Sequence, residues 1–341
     1  MGVHMVTRFG DISPRTAAYA YGQMLRHIEP TLVLARLGQV KAIPKNKSTT
    51  VKFRRAIPYP AVTSPLQEGV TPSVSATAFE DVTAQLKQWG DVHGLTDVIQ
   101  DTHEDPVLQT MMQLTGEQAG ATAEQVIYNV VRGGTSVYYG NGATRAGVNT
   151  PISLNKQRAI VRTLQRNKAR KITTILSPSP NIGTSAIEAA YIGVAHTDLG
   201  PDIRNMTGFV PVSKYGSMKP LCPEEIGSVE DVRYILSPDL APWENAGGAP
   251  GGSVLSTSGT AADVYPVLYL GQDAFGVTPL KSQKLAEGNN LAVQPMVINP
   301  GTATKDDPLG QRGYVGWKAW FTAVRLNETW MVRGEFAASS L

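Results

Sequence analysis

Residues 105–134 read DPVLQTMMQLTGEQAGATAEQVIYNVVRGG. Apolar or small side chains recur at Leu108, Met112, Thr115, Ala119, Ala123, Val126 and Val130. Those steps of three and four residues put them on one face of an α-helix. Asp105 suits the capping position, and Pro106 suits the first helical position, where its missing N–H is not needed. Arg132 favours the C-terminal dipole, and Gly133 closes the helix. A helix over 106–132 is about 40 Å long, well beyond the mean of about 11–12 residues. Gly116 and Gly120 lie one turn apart and each cost about 1 kcal/mol against alanine, so another backbone is expected to cross there. The pattern predicts a rod lying along one side of a sheet.

Outward from this rod the chain changes character several times. Residues 1–15 lack apolar pattern and read as an arm ordered only by contact. Thr16 to Gln39 has helical spacing with a bend at Pro30. Between Gln39 and Phe79 two β-like stretches flank Pro58, Pro60, Pro65 and Pro72, which forbid a central strand. This predicts an irregular hairpin projecting about 50 Å if roughly 15 residues of each arm are extended. Such a hairpin is marginal alone and needs a partner surface. Val82, Ala84 and Leu86 alternate with polar residues as a half-buried strand, and 88–104 reads as a lead into the rod. Residues 136–151 are Gly/Asn-rich and form the best domain boundary.

Beyond that boundary, Ser153–Asn167 reads as a helix with Ile160, Val161 and Leu164 inward. Ile172–Leu176, Ala189–Ala195, Asp231–Leu236 and Val264–Leu270 are predicted strands. Trp243–Ala262 is predicted to be a flexible loop, too rich in Gly and Ser to pack a core. Tyr314–Leu326 alternates, and Asn327-Glu328 is a turn signal that would pair it with Thr329–Phe336. The expected fold class is α+β. A helix-and-sheet layer from 80–135 and 290–341 brackets an inserted lobe at 150–285, with a hairpin reaching away from both.

The chain has 341 residues, 42% hydrophobic, which is enough for a substantial core. Only 17% are charged, and there are 33 glycines and 23 prolines. Such a chain is loop-heavy or covers its surface with partners. A net charge of +3 does not by itself indicate a nucleic-acid partner. Cys222 is the single cysteine, so no internal disulfide forms and an oxidising compartment is not expected. Neither a signal-type run nor a membrane-length apolar window is seen, so a protein made in a cytoplasm with no membrane partner is expected.

Basic residues collect twice without an intervening acid. Arg36, Lys41, Lys45, Lys47, Lys52, Arg54 and Arg55 form the first run; Lys156, Arg158, Arg162, Arg166, Lys168, Arg170 and Lys171 form the second. Either run suits phosphate contact or acidic patches of a neighbour, or is a solvated face. His93 with Asp91 and Asp97, and His103 with Asp101, Glu104 and Asp105, resemble a loose metal cluster, as does His196 with Asp198 and Asp202. None has the spacing that pre-forms a site. No nucleophile elbow, phosphate loop or CxxC motif is present, so no catalytic residue, metal or cofactor is assigned.

Five segments, in order, carry a resemblance: GQVKAIPKNKSTTVKFRRAIPYP, PLQEGVTP, EDVTAQLKQWGDVHGLTDVIQDTHEDPVL, YIGVAHTDLGPDIR and DPLGQRGYVGWKAWFTAVRLNETWMVRGEF. Together they resemble the major capsid proteins of podoviruses of the N-four type, tailed phages with the Hong Kong 97 fold. The resemblance runs from about residue 30 to 336 and leaves out 1–15 and the Gly/Ser loop 244–262. It implies an N-terminal arm (1–39), an extended loop (40–80), a peripheral domain (81–149) with a spine helix at 106–132, an axial domain (150–285) and peripheral C-terminal strands (286–341). It also implies hexamers and pentamers of an icosahedral shell around double-stranded DNA, assembled in a bacterial cytoplasm. The implied partners are further copies, decoration, scaffold and portal proteins, and packaged DNA held without sequence preference. Lys52, Arg54, Arg55 and Glu68 on the loop are the expected intersubunit contacts. The competing readings are an encapsulin-like compartment shell, a decoration or minor head protein, and a metal-dependent hydrolase using the His93/His103 acidic cluster.

Overall fold

The computed structural model describes residues 32–66, 68, 69, 71, 74–102, 107–173, 189–215, 220–281, 293–301, 303 and 307–341. The predicted rod is a helix over Val107–Arg132. Its expected cap, Asp105-Pro106, lies outside the described residues, as do residues 1–31. The buried face is Met112, Thr115, Gly116, Ala119, Gly120, Ala123, Glu124, Ile127, Tyr128 and Val131. Toward the C-terminal end it runs one residue off the predicted Val126 and Val130, and it carries a carboxylate. A short helix, Leu34–Leu37, packs on the rod, with Leu32, Val33, Leu34 and Ala35 buried. The backbone of this segment bonds to the rod through the Glu124 carboxylate, one turn beyond Gly120.

Strands in chain order are β1 (Gln39–Val40), β2 (Ile43–Pro44), β3 (Thr50–Ala56), β4 (Phe79–Gln85), β5 (Lys87–Thr96), β6 (Val137–Tyr139), β7 (Tyr191–Ala195), β8 (Phe209–Pro211), β9 (Glu225–Val229), β10 (Val232–Leu236), β11 (Tyr265–Leu270), β12 (Phe275–Lys281), β13 (Val293–Ile298), β14 (Arg312–Arg325) and β15 (Met331–Phe336). They form two sheets and a hairpin.

In the six-stranded sheet β14 is the axis. β5 pairs along one side of it, from Arg312↔Thr96 to Phe321↔Lys87. β13 and then β12 take successive stretches of the other side. The predicted alternation holds: Val315, Trp317, Ala319, Phe321 and Ala323 are buried, and this face lies on the rod. The seven-stranded sheet has the order β6-β15-β11-β7-β10-β9-β8. β7 and β11 are buried at every position, which the unbroken apolar runs YIGVA and YPVLYL require of strands covered on both faces. One face meets the rod cluster; the helix Leu154–Arg166 covers the other with Ile160, Val161 and Leu164.

Four expectations are corrected. β14 and β15 do not form a hairpin. The chain turns at Glu328–Trp330, and β15 pairs over six positions with β11, in the other sheet. A two-residue turn signal marks a reversal but not its partner, and β15, buried on both faces, is satisfied only in the larger sheet. Second, residues 88–96 are not a connection but β5, whose glycines masked its β pattern. Third, 243–262 is tied down rather than flexible. Leu255 N donates to Ala338 O, Gly247 N to Ala262 O and Asn245 N to Asp263 Oδ1, while Val254 and Ala262 pack on Ala337. Backbone bonding, with the Ser256 and Ser258 hydroxyls, replaces the apolar packing that Gly and Ser cannot supply. Fourth, the residue 136–151 connection contributes β6 to the seven-stranded sheet. The Ile172 and Thr173 N–H groups both donate to Ala190 O without a strand, and the rest of Ile172–Leu176 lies outside the described residues.

Candidate functional site

The hairpin β3–β4 pairs from Thr50↔Gln85 to Ala56↔Phe79, seven residues a side, or about 23 Å. That is half the predicted reach. Ile57 N to Ala78 O is the last backbone rung among the described residues, because Pro58 and Pro60 follow at once. Beyond it the Tyr59 hydroxyl meets Thr77 Oγ1. At the base, Phe53 and Ala84 are buried. The Phe53 ring lies 2.9 Å from where a Cβ on Gly276 would stand, so a larger residue there would push the ring aside. A groove of about 210 Å³ runs under the base, lined by Phe53, Arg55, Glu80, Val82, Asp273 and Trp330.

The tip carries apolar side chains into water: Ile57, Tyr59, Val62 (89% exposed), Leu66 and Val74 (97% exposed). A second exposed apolar set lies elsewhere. Register puts Val92, Tyr314, Met296 and Ile298 on the face of the six-stranded sheet turned away from the rod, and all four are exposed. Gly90, Gly94 and Gly316 share that face and flatten it; a Cβ on Gly316 would fall 2.6 Å from Asp91 O. β4 runs into β5 with only Leu86 between them, Leu86 N donating to Thr49 O. Hairpin and apolar face are therefore opposite ends of one ribbon. The tip extends from Lys87 in one direction, and Val92 lies about 17 Å in the other, so the two cannot meet within a copy.

No family model matches the chain. The major capsid protein of Pseudomonas phage KPP21 is 24% identical over 178 residues, which are 49% of this chain and 44% of that protein. The chain thus spans less than half the length of that relative. Among solved structures, the capsid of Ralstonia phage GP4 superposes with a TM-score of 0.62 at 13% identity, over 89% of this chain and 88% of that one. The capsid of cyanophage Pam1 gives 0.58 at 13% identity over 92% and 93%. The head of Helicobacter pylori bacteriophage KHP40 gives 0.53 at 10% identity over 99% and 95%. At such identities it is the backbone path that agrees, over 89% to 99% of the chain. The chain has the Hong Kong 97 capsid fold.

Within this capsid fold the expected contact residues lie on or near the hairpin, facing out, but two are already paired in the chain. Arg54 binds Asp81 through Nε at 2.7 Å and Nη2 at 2.9 Å, and Arg55 Nη2 donates to Glu80 Oε2 at 2.5 Å. Both pairs are direct cross-strand partners. The Arg54 guanidinium holds the Asp81 carboxyl below the usual carboxylate range. Lys52 and Glu68 are exposed, and the Lys52 carbonyl accepts from Lys41 Nζ.

The His93 cluster has another use. Asp91 and His93 face the rod, where Gln118 donates to Asp91 Oδ2 at 2.6 Å and its Oε1 meets His93 Nε2 at 3.1 Å and Trp317 Nε1 at 3.3 Å. They tie β5 and β14 to the helix. His103, Glu104 and Asp105 lie outside the described residues. His196 Nδ1 accepts from Asp198 N, and Asp202 accepts from Ser339 N. Among the described residues no three metal-type side chains converge. Cys222 is buried, and burial pushes its thiol up to about 12, away from nucleophilic use.

The sequence reading passed over Glu124. It is fully buried, accepts from Leu34 N at 2.8 Å and Val33 N at 3.2 Å, and lies 90 residues away in sequence. Burial, opposed by these N–H bonds, raises its pKa to about 7, and Asp239 adds to the shift. It joins the segment entering the hairpin to the rod. Its position, four residues from Gly120 on the buried stripe, was the available signal. At the rod's C-terminal end, Arg333 Nη1 donates to the Arg132 and Gly134 carbonyls, and Glu335 accepts from both Arg145 and Arg333.

Proposed function

We propose that this chain is a coat protein whose copies assemble head to tail into the hexamers and pentamers of an icosahedral shell around double-stranded DNA. One observation carries this: an apolar tip and an apolar sheet face stand at opposite ends of one ribbon, unable to meet in a single copy. A contact between unlike patches closes into rings when the rotation permits. The tip of one copy, Ile57 to Leu66, would then cover Val92, Tyr314, Met296 and Ile298 of the next. β5 supports the same reading, since its outer edge meets no further strand among the described residues, an edge that natural proteins cover. The named relative and the shared fold support it independently.

In this reading residues 1–39 are the arm, 40–80 the extended loop, 81–149 and 286–341 the peripheral domain and 150–285 the axial domain, with β15 lending its edge to the axial sheet. Lys52 and Glu68 are free to reach a neighbour, with scaffold, decoration and portal proteins as further partners. Assembly takes place in the bacterial cytoplasm and the role is structural, not enzymatic. Electron microscopy of the expressed chain tests this. Closed shells are expected; a chain that stays a compact monomer at high concentration would overturn it.

A further inference from the structure

The helix Leu154–Arg166 spends its inner face entirely on the seven-stranded sheet. Ile160, Val161 and Leu164 are buried there, and Gln157 is locked by donating to Val229 O and accepting from Tyr234. Its outer face carries Arg158, Arg162 and Arg166, one every four residues, about 6 Å apart along the axis. Lys168 and Arg170 continue the row, exposed. Two acids on the adjoining turn answer two of the cations nearby: Glu230 takes Arg158, and Asp231 takes Lys171 at 2.5 Å. Arg162, Arg166, Lys168 and Arg170 have no acidic partner among the described residues.

This row works against the fold that carries it. Like charges four residues apart destabilise a helix by about 0.2–0.5 kcal/mol a pair. Lys168 sits in the left-handed region at φ 55°, closing the helix where Gly or Asn is usual. A cation held at a strained position, beside others that repel it, implies an anion from outside. Six of the chain's own acids are already engaged, which makes them poor candidates for that anion. Glu80, Asp81, Glu230, Asp231, Glu328 and Glu335 are each held by a basic side chain of the same copy. No aromatic side chain interleaves the row to stack on a base.

We propose that Arg162, Arg166, Lys168 and Arg170 form a ridge that binds the phosphate backbone of duplex DNA without reading its bases. This rests on the shell reading for the source of the DNA, and the test separates the two. The full chain is titrated with a fluorescent random duplex between about 50 and about 200 mM salt, and shell formation is followed separately by microscopy. Wild-type affinity should fall roughly a hundredfold over that range from these four contacts. In R162Q/R166Q/K168N/R170Q the slope of log affinity against log salt should drop by about 3–4, at about 0.9 per phosphate, with shells still forming. Absence of duplex binding by the wild type, or an unchanged slope in the variant, overturns the ridge. Lost shells with an unchanged slope also overturn it and make the row a contact between copies. If the fourfold variant misfolds, R162Q/R166Q should lower the slope by about 2, and an unchanged slope there is equally fatal.

Discussion

The seven-stranded sheet and the hairpin are both β-structure, yet they bury their residues in opposite ways. In the sheet, Tyr191, Tyr234, Tyr269 and Phe336 are closed off, and the Tyr234 and Tyr269 hydroxyls meet at 3.1 Å, so these two polar groups find each other inside the copy. In the hairpin, Phe53 and Ala84 anchor a ladder whose far end leaves Val62 and Val74 almost wholly in water. The sheet holds its stability within one chain. In the proposed shell the hairpin completes its burial on another molecule. Damage to the first should therefore appear as unfolding, and damage to the second as lost assembly in a folded chain.

The largest expected effect is on the sheet. Phe336→Ala should lower the unfolding free energy by about 3–5 kcal/mol, read by urea melts of unassembled chain. Glu124 comes next, at the junction of the two regions. A buried acid whose pKa rises from 4.5 to about 7 binds its proton more tightly folded than unfolded. Its contribution is then most favourable below pH 4.5, declines as pH rises toward 7 and is level above, a difference of up to about 3 kcal/mol. Urea melts at pH 5 and pH 8 should show this decline in the wild type, flattened in Glu124→Gln. Equal pH dependence in both proteins would remove Glu124 as its source.

The hairpin base sharpens the contrast. R54E/R55E sets like charges against Asp81 and Glu80, and shells should fail while monomer stability hardly moves, since the pairs are exposed. Adding E80R/D81R restores both cross-strand pairs and should restore shells. If the fourfold variant still fails to assemble, those arginines act on a neighbour's acids instead. Smallest in stability is Val62→Asp, within about 0.5 kcal/mol, though its shell yield should fall.

Much of this was legible beforehand. The rod announced itself because a long stripe, a proline start and a glycine stop agree, and four of the five segments that carry the resemblance contain strands. What failed was pairing. Nothing in Asn327-Glu328 says that β15 leaves β14 for β11, because turn chemistry is local and sheet membership is not. β5 was hidden by Gly90 and Gly94, whose value is the flat surface they make against β14. Glu124 stayed hidden because a carboxylate in a stripe reads as a surface residue until the backbone N–H groups that meet it are known. The receiving face, Val92, Met296, Ile298 and Tyr314, comes from three strands far apart in sequence and becomes a surface only in register.

The head-to-tail contact is tested most directly by mixing two crippled chains. One has residues 58–77 replaced by a short turn and keeps its sheet face; the other carries Val92→Asp and Met296→Asp and keeps its tip. Between them a single good interface remains, so sedimentation velocity should show monomers of each alone and a one-to-one heterodimer, and nothing larger, on mixing. Closed shells from either chain alone, or no complex from the mixture, would contradict a tip that seats on the sheet face of the next copy.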